Sequence, residues 1–169
     1  DCGKLKLKHT MKLEDFGENY NLLNEIIEKH KIKFKKYKKF QTPLMPFYCF
    51  KIPYVILNEV GYFDSSFGKC GGEDIDYRIR CAIKGYEVDF LLQSYLLHFH
   101  GKSSWDGNET KEQIEERNRV YTETFNKKWG LEFTQIFILR RDFLEILNKK
   151  NLNSTFKAGE FGELIRKLK

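Results

Sequence analysis

A chain of 169 residues is long enough for one domain with a hydrophobic core and short for two. With 41% hydrophobic and 15% aromatic residues, it is excluded from the weakly apolar compositions that remain disordered. The net charge of +6 admits an acidic partner such as a nucleotide, a nucleic acid or an anionic membrane surface, and no apolar run approaches the roughly 20 residues that span a bilayer.

The basic alternation of Lys4, Leu5, Lys6, Leu7 and Lys8 predicts a strand or an extended entry segment. From Asp15 onward, Leu22, Leu23, Ile26, Ile27 and His30 recur at helical spacing, and then Ile32, Phe34 and Tyr37 alternate with lysines up to Lys39. This predicts a helix followed by a basic, partly extended connector. The lysine run from Lys29 to Lys39 could track a phosphate backbone, although such runs are more often solvated faces, so nucleic acid is not the expected partner.

After Pro43 and Pro46, the apolar run Phe47 to Phe50 suits a buried strand, and Pro53 to Val60 suits a short helix stopped at Gly61. Glu73 to Lys84 places Ile75, Ile79, Ala82 and Ile83 on one helical face, with Gly85 as the stop. Val88, Phe90 and Leu92 alternate as in a strand, Tyr95 to Phe99 reads as a second strand, and Gly101 to Asn108 reads as a loop. A helix from about Thr110 to Lys128 carries Ile114, Asn118, Tyr121 and Phe125 on one stripe, which makes Asn118 an inward polar residue in need of a partner. Phe133 to Leu139 fits strand or helix, Arg140 to Leu147 reads as helical, and Phe161 to Leu168 as a short basic amphipathic tail.

Cys2, Cys49, Cys70 and Cys81 are widely spaced and form no C-x-x-C pair. Free thiols of a reducing compartment are expected, hence a cytoplasmic location with at most peripheral membrane contact.

The sharpest chemical pattern is Gly71-Gly72-Glu73-Asp74-Ile75-Asp76, two glycines delivering adjacent acids to a helix N-terminus. Carboxylates there are held ionised by the amide dipoles, and one well-placed carboxylate is the minimum equipment for taking a proton from an attacking hydroxyl. On these six residues alone, helix capping is the favoured explanation. His98 and His100 have the two-residue spacing that puts both on one face of a strand, a geometry able to hold a divalent metal. A zinc site from Cys70, Cys81, His98 and His100 is the weaker alternative. Trp105, in the polar loop after the histidines, could stack on a sugar ring or pack onto a core.

The order of blocks shifts the weight toward chemistry. Leu57-Asn-Glu-Val-Gly-Tyr-Phe-Asp64 and Phe67 precede Gly71 to Arg80, then come Lys84-Gly-Tyr-Glu-Val88 and His98-Phe-His-Gly-Lys-Ser103. Asn118 and Phe125-Asn-Lys-Lys-Trp-Gly130 follow. This series resembles the C-terminal, acceptor-side half of family 2 glycosyltransferases over about residues 44 to 130. The Gly-Gly-Glu-Asp core is also similar to the acceptor site of β-1,4-galactosyltransferases, although those carry Trp-Gly-Gly where this chain has Cys70-Gly71-Gly72.

The resemblance implies an α/β fold, a partial GT-A (nucleotide-diphospho-sugar transferase) fold with a mixed sheet flanked by helices. It implies three regions: residues 1–43 as N-terminal helix and basic connector, 44–130 as the acceptor-side catalytic half, and 131–169 as a helical extension. The donor-binding half, with its Asp-x-Asp metal motif, is not recognisable in this chain. The implied reaction is transfer of a sugar from a nucleotide-sugar donor to a hydroxyl of a glycan, lipid or protein, inverting, as in polysaccharide biosynthesis. Asp74 would be the base; Glu73, Gly72 and Trp105 would bind the acceptor. His98 and His100 would serve the donor and a divalent metal, Mn or Mg, with Asn118 and Asp76 in structural support. The rival expectation is a non-catalytic glycan-binding or basic nucleic-acid-binding module.

Overall fold

Helices account for all the regular structure that can be described. The structure, a computed structural model, describes residues 20–33, 35, 49–68, 71–89, 91, 94, 109–139 and 165. Contacts divide the chain into two units, Asp1–Phe40 with Asp89–His98 and Gln41–Val88 with Phe99–Lys169. In the first unit, α1 spans Tyr20–Lys33 and buries Ile26 and His30, one turn apart on the face its periodicity predicted.

The second unit holds α2 (Tyr54–Val60), a 3₁₀ turn (Ser65–Phe67), α3 (Glu73–Ile83), α4 (Lys111–Trp129) and α5 (Leu131–Thr134). A π-helical turn, Gln135–Leu139, continues α5. The core gathers Phe67 from the 3₁₀ turn, Ile79 and Ala82 from α3, Phe125 from α4, Phe133, Ile136 and Phe137 from the last turns, and Ile165. The burial of Phe133, Ile136 and Phe137 at helical spacing decides the segment that the sequence left open between strand and helix.

The expected mixed sheet is overturned, because the described residues contain no strand. Phe50, expected in a buried strand, is irregular and 50% exposed. Its run is hemmed by Pro43, Pro46 and Pro53, none of which can donate to a sheet ladder. Val88 is likewise irregular, and its alternation partners Phe90 and Leu92 lie outside the described residues, as does the expected strand over 95–99.

The start of α4 is fixed by local chemistry. Thr110 caps α4 by accepting from the Gln113 N–H, while the Gln113 side chain accepts from the Thr110 N–H, a reciprocal capping box. The exposed side of α4 carries Arg119 between Glu116 and Glu123, both at 2.7 Å. No helix of the described residues is long and apolar enough to cross a membrane.

Candidate functional site

The two glycines before α3 are required for different reasons. A Cβ on Gly71 would lie 2.3 Å from Cδ1 of Tyr121, so the α4 ring rests directly on the Gly71 backbone. Gly72, the residue that opens α3, has φ of +83°, a left-handed conformation in which a side chain is strained. A Cβ there would also come within 3.1 Å of the Phe67 ring.

This turn sets the first carboxylates of α3. The Glu73 side chain folds back so that Oε2 accepts from the Gly71 N–H at 2.8 Å, and Asp74 Oδ1 accepts from the Ile75 N–H at 2.8 Å. Both acids are half-buried. They sit at the N-terminus of α3, where the amide dipoles concentrate positive potential.

One turn further on, Asp76 is fully buried and is the hub of a polar network. Its Oδ1 accepts from the Trp129 indole N–H at 2.9 Å and lies 2.7 Å from Lys128 Nζ, while Oδ2 accepts from Arg80 Nε at 2.9 Å. Arg80 also donates to the backbone carbonyls of Val60 at 2.7 Å and Tyr62 at 2.8 Å. Lys128 donates to Asp64 Oδ2 at 2.6 Å, and Asp64 Oδ1 accepts from the N–H and hydroxyl of Ser66. The Lys128 ammonium beside Asp64, followed by these Ser66 bonds, holds the Asp64 carboxyl far below the usual carboxylate range. Two carboxylates, one ammonium and one guanidinium balance, so the buried charge of Asp76 is compensated by geometry as well as by sign.

The remaining reactive groups nearby are quiet. Burial pushes the Cys81 thiol up to about 11, which makes it a poor nucleophile and a poor thiolate ligand at neutral pH. The Tyr77 ring stacks on Phe63 with centroids 4.5 Å apart, and burial raises the pKa of its hydroxyl, which has no hydrogen-bond partner among the described residues. Among the described residues, no group of three or more His, Cys, Asp or Glu could hold a metal ion. His98, His100, Cys70 and Trp105 lie outside the described residues. In the lysine run, Lys29 lies 3.9 Å from Glu25 and Lys31 lies 2.8 Å from Glu28, so neighbouring acids already answer part of that charge.

Of the residues the sequence singled out, the structure brings Gly72, Glu73, Asp74 and Asp76 together. It corrects Asn118, which is exposed rather than inward. The buried face of α4 begins at Tyr121 and continues through Phe125 to Trp129, so the N-terminal half of the helix, with Ile114 38% exposed, runs past the core. The sequence reading missed Tyr121, Lys128, Trp129, Asp64 and Arg80 as supports of the acidic turn. The i, i+4 spacing of Asp76 and Arg80 was the one local signal available.

No protein-family model matches the chain, and neither a curated protein nor a solved structure matches it significantly.

Proposed function

We propose that the chain is the acceptor-side part of a nucleotide-sugar-dependent glycosyltransferase, in which Asp74 is the general base. The supporting observation is that the Gly71-Gly72 turn brings two adjacent half-buried carboxylates, Glu73 and Asp74, to the first turn of α3, next to the Asp64–Lys128–Asp76 network. An ionised carboxylate has about four lone-pair sites, so Glu73 can hold the Gly71 N–H and still accept from an acceptor hydroxyl. Asp74 would take the proton of the attacking hydroxyl as its oxygen bonds to the anomeric carbon and the nucleoside diphosphate leaves with the bonding pair. Inversion follows from that single displacement.

The order of motifs from Leu57 to Gly130 supports the same reading, while the helical character of the described residues gives it no help from fold. The donor would be a nucleotide sugar and the acceptor a glycan, lipid or protein hydroxyl, met in the cytoplasm or at its membrane surface. A divalent ion, Mn or Mg, when bound, would offset charge on the leaving diphosphate. His98 and His100 are its proposed ligands.

The test is turnover of a panel of nucleotide sugars by the longest natural polypeptide carrying these residues, beside its Asp74→Asn variant. Transfer or donor hydrolysis that is lost in the variant supports the reading. Absence of turnover from every donor, with glycan binding retained, would replace the enzyme by a binding module.

A further inference from the structure

α4 meets the acidic turn of α3 at three heights along one face. Tyr121 lies against Gly71, Phe125 packs on Phe67 with ring centroids 6.2 Å apart beneath Gly72, and Lys128 and Trp129 grip Asp76. These α4 positions recur at i, i+4, i+7 and i+8, the repeat of a single helical stripe. Each contact falls on backbone or side chain within three residues of Glu73 or Asp74, except Phe67, whose ring supports the Gly72 turn itself.

The same stripe also fixes what lies under the turn. Lys128 bridges Asp76 to Asp64, and Asp64 in turn caps the 3₁₀ turn that presents Phe67. The Asp76 N–H donates to the Gly72 carbonyl at 2.8 Å, so a displacement of Asp76 is carried directly to the residue that opens the helix.

We infer that Tyr121, Lys128 and Trp129 are positioning residues that set the aim of the Glu73 and Asp74 carboxylates, acting through Gly71 and Asp76. The inference rests on the reading of Glu73 and Asp74 as the acceptor site, and it adds residues 47 or more positions later in the chain. None of the three is assigned contact with substrate.

Trp129→Phe is the informative variant, because it keeps an aromatic ring and the net charge while removing the N–H that Asp76 Oδ1 accepts. Lys128→Met is its companion. In the longest natural polypeptide, both variants are expected to lower kcat at least tenfold with the donor KM unchanged. Two further readouts need no turnover: the carboxyl carbon shifts of Glu73 and Asp74, and hydrogen exchange at the Gly71 and Ile75 amides, which those carboxylates hold. The positioning role predicts shifted carboxyl signals and at least tenfold faster exchange at these two amides in folded Trp129→Phe, relative to the Ile79 amide in the middle of α3. Unchanged carboxyl signals and unchanged relative exchange in both folded variants would overturn it. If the unmodified protein turns over no donor, the catalytic reading falls, and the carboxyl and amide measurements still decide whether α4 positions these acids.

Discussion

Helices α3 and α4 are neighbours built on opposite plans. α3 is 11 residues long and buries six of them, including Asp76 and Arg78, so its polar groups depend on partners from elsewhere in the chain. α4 is 19 residues long and buries only Phe125; it carries its own capping box and ion pairs along its exposed side. α4 can serve as a ruler because its start carries its own cap and its inner stripe is seated on the core, whereas the conformation of α3 is dictated by what α4 and the preceding loop present to it.

Breaking the dependence of α3 should produce the largest effect. Asp76→Ala would leave Lys128 and Arg80 without the buried carboxylate between them, with an expected loss of about 3–5 kcal/mol, read by urea denaturation. Gly71→Ala would force the Tyr121 ring away from the turn. Overpacking of this kind costs about 1–3 kcal/mol, and Gly71→Ala combined with Tyr121→Ala should recover part of the loss.

The Asp64–Lys128 link supplies a pH test. Because the folded Asp64 carboxyl lies below its ordinary value of 3.8, its stabilising contribution is complete above that value and is withdrawn as pH falls toward the folded one. Thermal melts between pH 5 and pH 2 should therefore fall less steeply for Asp64→Asn than for the unmodified protein. At the small end, Arg119→Ala on the exposed side of α4 should leave the melting temperature within measurement scatter, although it removes two ion pairs. A large loss there would contradict the contrast between the two helices.

The sequence made the helices legible where the signal was local. The apolar spacing of Ile75, Ile79 and Ala82, and the stripe of Ile114, Tyr121 and Phe125, announced α3 and α4 nearly to the residue. The Gly-Gly turn and its two acids were legible for the same reason. The strand expectation failed at Phe50, which is irregular and exposed, because a short apolar run alone does not report a sheet partner. Asn118 was misplaced because periodicity gives a stripe but not the point where the neighbouring core ends. Lys128 was passed over because its partners, Asp64 and Asp76, lie 64 and 52 positions earlier, and no local pattern reports such a pairing.

Asp74→Asn separates a base from a helix-capping acid. Asparagine keeps an oxygen able to accept from the Ile75 N–H but cannot take a proton at neutral pH. If Asp74 is the base, the variant keeps a melting temperature close to that of the unmodified protein while sugar transfer falls about 10²–10⁴-fold. Transfer at the unmodified rate by a folded Asp74→Asn protein would contradict it.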